Sequence, residues 1–326
     1  MREDIFKVLQ SDINNANIDE KTKNTMLRNI AKLREQKINI MITGSTGCGK
    51  SSTINALFDT NIAKVGQGVD PETQFIEKYE LDNLVLWDSP GLGDGKEQDI
   101  AHSKAIISKL NELDSDGKPL IDLILVILDA GTRDYGTSFE LINEVIIPAV
   151  GERAKDRVLV ALNQADIAMK GRGWNHIENR PEPELEKFLN EKVASVKRRI
   201  KESTGVDIEP IFYSAGYKDG DAKQNPYNLS KLLYFIVSHT PSEKRVIYAN
   251  NVSSDSSMWK SNDTLRDYNA DIQKSIFASV VDGARKGADI GGEIGSMFGG
   301  AGKAVGSLIG GAIGAISGFI GGLFGW

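Results

Sequence analysis

At 326 residues the chain has room for one large domain plus appendages. Its 40% hydrophobic and 26% charged composition is globular, and a net charge of −6 argues against a general nucleic-acid-binding surface, though not against a local basic patch. The single cysteine, Cys48, excludes an internal disulfide and fits a reducing, cytoplasmic setting. The N-terminus MREDIFKVLQ is charged and lacks a long apolar core, so no secretory leader is expected. Glycine is unevenly spread: 16 of 33 lie between Gly283 and Gly325, so the C-terminal segment follows different rules from the body.

Residues 1–36 read as helical. Met26, Ile30 and Leu33 fall at helical spacing, and Asp19 is placed to cap the second helix. A packing flange on the following domain is the plain reading, and a membrane or partner contact the other.

Lys37 to Thr43 is a short apolar run that reads as a buried strand, and Ser51 to Phe58 reads as the start of a helix. Between them Gly44-Ser45-Thr46-Gly47-Cys48-Gly49-Lys50-Ser51-Ser52 matches the phosphate-binding pattern G-x-x-x-x-G-K-[ST] at every required position. The glycines let backbone N–H groups converge on a phosphate beside a helix N-terminus. Lys50 would reach the β- and γ-phosphates, and Ser51 would hold Mg²⁺ through its hydroxyl.

After a polar, glycine-containing loop over residues 60–72, Thr73 opens a strand to Leu81. A turn at Asp82-Asn83 leads to a second strand, Leu84 to Asp88, which should pair antiparallel with the first. Thr73 is placed to give its hydroxyl to Mg²⁺ and its N–H to a γ-phosphate, or is simply a strand residue. Asp88 at the next strand tip can hold the Mg²⁺ shell, and Gly91 offers a backbone N–H to the γ-phosphate. Leu123–Leu128 and Arg157–Leu162 are continuous apolar runs, as in parallel strands covered on both faces, with a helical crossover over Thr137–Val150.

At the following tip stand Asn163, Gln164 and Asp166. An Asp there can accept from N1–H and the exocyclic amine of guanine, a pairing adenine cannot offer, while Asn163 would bond the base edge and tie loops together. Residues 167–183 form an unusually long loop. Ile208–Tyr213 reads as the last strand, ending in Ser214-Ala215, whose backbone N–H groups can bond the guanine carbonyl. Asn228–His239 reads as the closing helix, before Pro241.

In order, Gly44–Ser52, Thr73, Asp88–Gly91, Asn163–Asp166 and Ser214–Ala215 resemble the motif set of a P-loop GTPase of the translation-factor-related class, in its Era-like and septin-like branches. The stretch GSTGCGKSSTINALF also resembles immunity-related GTPases, and the whole chain is similar to prophage-borne bacterial Era-like members. The resemblance implies GTP and GDP as ligands, Mg²⁺ as cofactor, and Lys50, Thr73 and Gly91 at the reacting phosphate. Three departures stand out. Gln164 replaces the Lys that lays its stem on the base. Leu92 stands where Ras-like enzymes carry a water-orienting Gln, which implies slow intrinsic turnover. Gly47 stands where potassium-activated members carry Asn. Arg133 is a candidate charge-stabilising finger or a solvated surface residue, and Cys48 a redox-sensitive thiol or a tolerated small residue.

Beyond Pro241 the composition shifts. Residues 250–262 are polar and read as a linker or long loop. Leu265, Tyr268, Ile272, Ile276 and Val280 mark an amphipathic helix. Glycines then recur every fourth residue from Gly283 to Gly299, and again from Gly302 to Gly322. Ala304–Trp326 carries no charge and is long enough, as a helix at ~1.5 Å per residue, to cross a bilayer's apolar core. Small residues would let such helices approach closely in lipid. A buried soluble hairpin and a disordered tail are the alternatives.

The expectation is therefore an α/β, doubly wound, mainly parallel sheet with N-terminal helices over 1–36, a nucleotide domain over 37–240, a linker over 241–264 and a helical glycine-zipper tail over 265–326. The function expected is a GTP-hydrolysing switch coupled to a tail that associates with membranes or oligomerises, placing the protein in the cytoplasm and at a membrane. A pore-forming or remodelling effector gated by GTP competes with it, as does a ribosome-assembly switch. The last is weakened by the acidic charge and the lack of a visible RNA-binding module.

Overall fold

The computed structural model describes residues 4–58, 67–70, 73–93, 95–219, 222–288 and 297–308. Two short side chains start the N-terminal helices. Asp4 accepts the Phe6 N–H at 3.0 Å to cap α1 (Ile5–Asn15), and Asp19 accepts the Thr22 N–H at 3.0 Å to cap α2 (Glu20–Glu35). Their apolar faces, Ile5, Phe6, Leu9 and Ile13 on α1 and Met26, Ile30 and Leu33 on α2, are buried.

The central sheet has seven strands, including β1 (Ile38–Thr43), β2 (Gln67–Asp70), β3 (Thr73–Leu81), β4 (Leu84–Asp88), β5 (Leu123–Asp129) and β6 (Val158–Asn163). Their order is β2-β3-β4-β1-β5-β6, followed by a short edge strand, Ile211–Phe212. β4, β1, β5, β6 and the edge strand run parallel, whereas β3 pairs antiparallel both with β2 and, through the Asp82–Asn83 turn, with β4. Asp82 takes φ 45°, one of the few side chains here in the left-handed region, and Asp tolerates it well.

Alternation along the parallel strands feeds two cores. Ile38, Ile40 and Ile42 of β1 and Leu123, Leu125 and Ile127 of β5 face one of them. Met41, Ile124, Val126 and Leu128 face the other. Each fully buried Leu or Ile contributes roughly 1.5–3 kcal/mol relative to exposure, so strands apolar on both faces need helices on both sides. The first face is covered by α1, α2, α3 (Lys50–Phe58), the closing helix Leu229–His239 and the C-terminal layer. The second is covered by α4 (Lys96–Asn111), the crossover and the long helix Pro183–Thr204.

Two expectations need correcting in detail. The crossover is helical, but over Leu141–Ile146 it widens to a π-helix, with the Ile147 N–H reaching the Ile142 carbonyl. Pro148 has no N–H to give to a carbonyl one turn back, and a wider turn accommodates it. The last strand pairs only over Ile211–Phe212 rather than from Ile208, because Pro210 has no N–H for the ladder.

The chain beyond Pro241 folds back rather than leaving the domain. Residues read as a linker form tight turns, Ser242–Ile247 and Ser256–Trp259, and bury Val246, Ile247, Tyr248 and Trp259 in the first core. Trp259 donates its indole N–H to the Ser253 carbonyl at 3.0 Å, which lets a large ring lie inside a polar-looking stretch. The amphipathic helix runs Tyr268–Arg285 with Ile272, Ile276 and Val280 inward, whereas Leu265 lies before it and is 77% exposed. It packs on α2 and on the closing helix.

Gly283 touches α2, where a Cβ would lie 2.5 Å from Leu33 Cδ1. A short helix, Gly299–Gly306, packs on α1 with Ala301 and Val305 buried, and the Ala301 N–H donates to Asp12 at 2.8 Å. Gly287 takes φ 73° just after the amphipathic helix, while Gly291, Gly295 and all of the expected span beyond Leu308 lie outside the described residues. Among the described residues no helix is long and apolar enough to cross a membrane.

Candidate active site

Every expected motif except the loop before Thr73 sits at the carboxyl end of a parallel strand, as doubly wound sheets require of a ligand site. β1 delivers the chain into Gly44–Gly49, and α3 starts at Lys50. Gly44, Gly47 and Gly49 take φ values of 145°, 83° and 87°. At Gly44 an added Cβ would lie 2.2 Å from the Ile127 carbonyl oxygen of β5, so only glycine lets the loop turn so close to the sheet. The Lys50 ammonium lies over the loop and donates to the Gly44 carbonyl at 2.9 Å. Ser45 is half-buried, and Thr46, Ser51 and Ser52 are exposed on the solvent side of the loop and of the first turn of α3.

β4 places Asp88 opposite Ile42 of β1, beside the loop. Its Oδ1 is buried and has no hydrogen-bond partner among the described residues. Burial pushes the carboxyl up to about 6, against the pull of the Lys50 ammonium and helped by the charge of Glu77. A buried carboxylate oxygen left without a donor, next to a lysine and an exposed serine hydroxyl, is the donor set a hard cation takes. The residues present therefore fit Mg²⁺.

Gly91 rests directly on the phosphate loop. A Cβ there would meet the Gly44 carbonyl oxygen at 2.8 Å and Ser45 Cα at 3.1 Å. The Gly91 carbonyl lies 3.3 Å from Nδ1 of His102, a buried residue of α4 whose ring meets Phe75 edge-on at 5.1 Å. This contact was missed in the sequence, where His102 offered no signal beyond being a lone histidine. Leu92 is buried in the second core, so its side chain turns inward from the site. Thr73 opens β3, paired with Asp70.

At the tip of β6 the Asn163 side chain joins two loops. Its amide donates to the Cys48 carbonyl at 2.9 Å and its oxygen accepts the Ala215 N–H at 2.9 Å. Gln164, at φ 62°, donates its amide to the Gly47 carbonyl at 2.9 Å, so this side chain also ties the base-side loop to the phosphate loop. Asp166, just after Gln164, and Ser214, just before Ala215, are buried, at 8% and 2% exposure. Beneath the loop, Thr53 of α3 shares a 2.7 Å hydrogen bond with the buried hydroxyl of Tyr213. Cys48 is fully buried, and burial pushes its thiol up to about 11. Arg133 is exposed on the loop after β5.

Residues 39–164 match the family model described as 50S ribosome-binding GTPase. Two curated proteins of Escherichia coli (strain K12) are similar in part. Uncharacterized protein YfjP is 29% identical over 154 residues, 46% of this chain and 49% of that protein. Uncharacterized protein YkfA is 28% identical over 157 residues, 47% of this chain and 50% of that protein. The matches thus span about half the length of these curated relatives. Among solved structures, the LeoA bacterial dynamin GTPase from ETEC is matched over 92% of this chain and 44% of that one, at a TM-score of 0.40 and 12% identity. The family match runs from β1 through the Asn163 motif, less than half of the chain, and supports a GTP-hydrolysing unit in that part.

Proposed function

We propose that the chain is a slow GTP-hydrolysing switch whose nucleotide state is read out by its C-terminal helical layer. The observation that carries the reading is the buried Asp88 oxygen at the tip of β4, unpartnered among the described residues and in the field of the Lys50 ammonium. Backbone N–H groups of residues 44–52 and the Lys50 ammonium would hold the β- and γ-phosphates. Mg²⁺, held by Ser51, Asp88 and Thr73, would neutralise charge developing on the phosphate oxygens. Gly91 would give its N–H to the γ-phosphate, and its contact with the loop leaves no room for a side chain. Asp166 would select guanine, with Asn163, Gln164 and the Ser214–Ala215 backbone shaping the base pocket.

Slowness is read from Leu92. Its side chain is apolar and packed in the core, so it orients no attacking water. Readout is supported by a direct bond from the end of the phosphate-loop helix to the C-terminal layer, where the Ser253 N–H donates to the Leu57 carbonyl at 2.7 Å. A shift of α3 on nucleotide exchange would pull on that layer. The glycine-rich tail over 304–326 would then serve membrane association or self-assembly.

The test is GTP turnover of the full chain and of Lys50→Ala, with and without lipid vesicles, with dye leakage followed in parallel. A switch gives intrinsic turnover on the order of 10⁻² per second or slower, abolished by Lys50→Ala, without leakage. Vesicle leakage that needs GTP binding but not turnover would instead favour a pore-forming effector. Deleting residues 309–326 should abolish vesicle flotation, and retained flotation would refute the anchor.

A further inference from the structure

The foot of the sheet, opposite the phosphate loop, holds a cavity of about 670 Å³ that the GTPase reading does not use. One wall comes from the segment before β6, with Arg153 and Arg157. Another comes from the loop before β5, with Lys118 and Asp122, and a third from the Pro241–Arg245 turn that begins the C-terminal layer.

Arg157 is only 6% exposed. One of its terminal nitrogens donates to the Ile121 carbonyl, but its Nε–H has no partner, and it makes no ion pair among the described residues. The carboxylate that could neutralise it is committed elsewhere. Asp122 accepts the Lys244 ammonium at 2.7 and 2.9 Å and the Asn39 N–H at 2.9 Å. Arg245 is likewise engaged, donating to the Thr240 and Ser238 carbonyls and to Ser275. Asp114 turns one oxygen onto the N–H groups of Asp116 and Lys118, and Asp156 and Glu243 are exposed. Arg153 adds a second guanidinium at the rim. Burial and the Arg153 charge both push the Arg157 guanidinium downward, against the pull of Asp122. A buried positive charge with a free N–H, next to another cation, is unstable without an anion.

We propose that this cavity binds a phosphoryl group, held by Arg157 from within and Arg153 at the rim. Guanidinium geometry suits a multi-oxygen anion, and two guanidiniums with Lys118 favour a dianion over a monocarboxylate. The ligand would bridge the GTPase core and the turn from which Arg245 reaches Ser275 of the helix Tyr268–Arg285. Occupancy would therefore strengthen docking of the C-terminal layer.

The experiment uses the full chain loaded with a non-hydrolysable GTP analogue and Mg²⁺, so that the phosphate loop is filled. Inorganic phosphate, glycerol 3-phosphate and acetate are titrated calorimetrically, and flotation is measured with phosphatidate vesicles. Saturable binding of either phosphoryl compound in preference to acetate is expected. Arg153→Glu should weaken it about tenfold or more, and Arg157→Met should abolish it, while affinity for the GTP analogue stays unchanged in both. Arg153 is exposed, so Arg153→Glu keeps the test open should Arg157→Met fail to fold. Flotation on phosphatidate vesicles in excess of that on phosphatidylcholine vesicles, lost in these variants without binding of the soluble compounds, would place the phosphoryl group on a lipid headgroup. Acetate binding as tightly as phosphate, phosphate binding unchanged in both variants, or no saturable binding in any arm would overturn the proposal.

Discussion

The two ends of the sheet each hold an ionisable group with a buried polar atom that no described residue hydrogen-bonds. At the carboxyl end it is Asp88 of β4, paired with Ile42 of the strand that enters the phosphate loop. At the foot it is Arg157, whose Nε–H looks for an acceptor beside Asp122. Both groups are shifted by burial toward the neutral form, Asp88 upward and Arg157 downward. An uncompensated buried charge lowers stability, so each marks a place where the fold gives up stability for a ligand of opposite sign. The ends differ in how the ligand is held. In the proposed sites, backbone N–H groups of a glycine loop would hold the upper ligand, and side chains alone the lower one.

Asp88→Asn should break the upper half of this comparison with the largest effect. It removes an anionic oxygen at the cation position, so Mg²⁺-dependent GTP hydrolysis should fall by roughly 100-fold or more. Stability of the nucleotide-free protein should rise, because the uncompensated carboxylate is gone. Turnover assays beside thermal melts check both signs. Lost turnover together with lowered stability would mean Asp88 is a structural hydrogen-bonding group instead.

Gly49→Ala attacks the same end through geometry. An added Cβ would lie 2.2 Å from Asn163 Nδ2 at a φ of 87°, so the Asn163 bridge to the Cys48 carbonyl must give way. A loss of about 1–3 kcal/mol is expected, with weakened GTP binding. Denaturant melts that match wild type would show the loop to be softer than this packing implies.

Arg157→Met sharpens the lower half. Losing an unpaired buried charge while keeping side-chain volume should raise stability by about 1 kcal/mol and leave GTP turnover unchanged. A destabilised variant would mean the bond to the Ile121 carbonyl outweighs the burial of charge.

The same asymmetry explains what could be read in the sequence. The motifs of the proposed upper site stand out in the sequence because backbone-built phosphate sites fix glycine spacing, and strand tips carry their motifs at set distances from apolar runs. Thr73–Leu81 and Leu84–Asp88 match the expected strands because alternation and the Asp82–Asn83 turn are local signals. The lower site has no local signal. Arg157 opens an apolar run in the sequence, and only tertiary packing commits Asp122 to Lys244 more than a hundred residues away, at a separation of 122. The C-terminal layer was misread for a related reason. Residues 250–262 look polar, yet the isolated Trp259 and the Val246–Tyr248 run anchor them in the core. A stretch with few apolar residues still packs when each one is fully used. His102 escaped notice because its partner is a backbone carbonyl, which no residue pattern announces.

At neutral pH the smallest effect is expected at Cys48. The thiol sits inside the phosphate loop at 0% exposure, and burial pushes it up to about 11 from 9.0, with Lys50 pulling it down and Asp88 and Asp129 adding to the push. A group whose folded value is raised contributes stability in full below its unfolded value and loses it as pH rises through the folded one. Cys48 should therefore leave stability unaffected below about pH 9 and lower it between 9 and 11, where the unfolded chain ionises first. Cys48→Ala should flatten that alkaline fall and change nothing at pH 7. Thiolate fraction governs reactivity, so a disulfide reagent at pH 8 should label the native protein far more slowly than the urea-unfolded chain. Rapid native labelling would instead mark a loop that opens often, and would make the thiol a redox-sensitive element of the phosphate site.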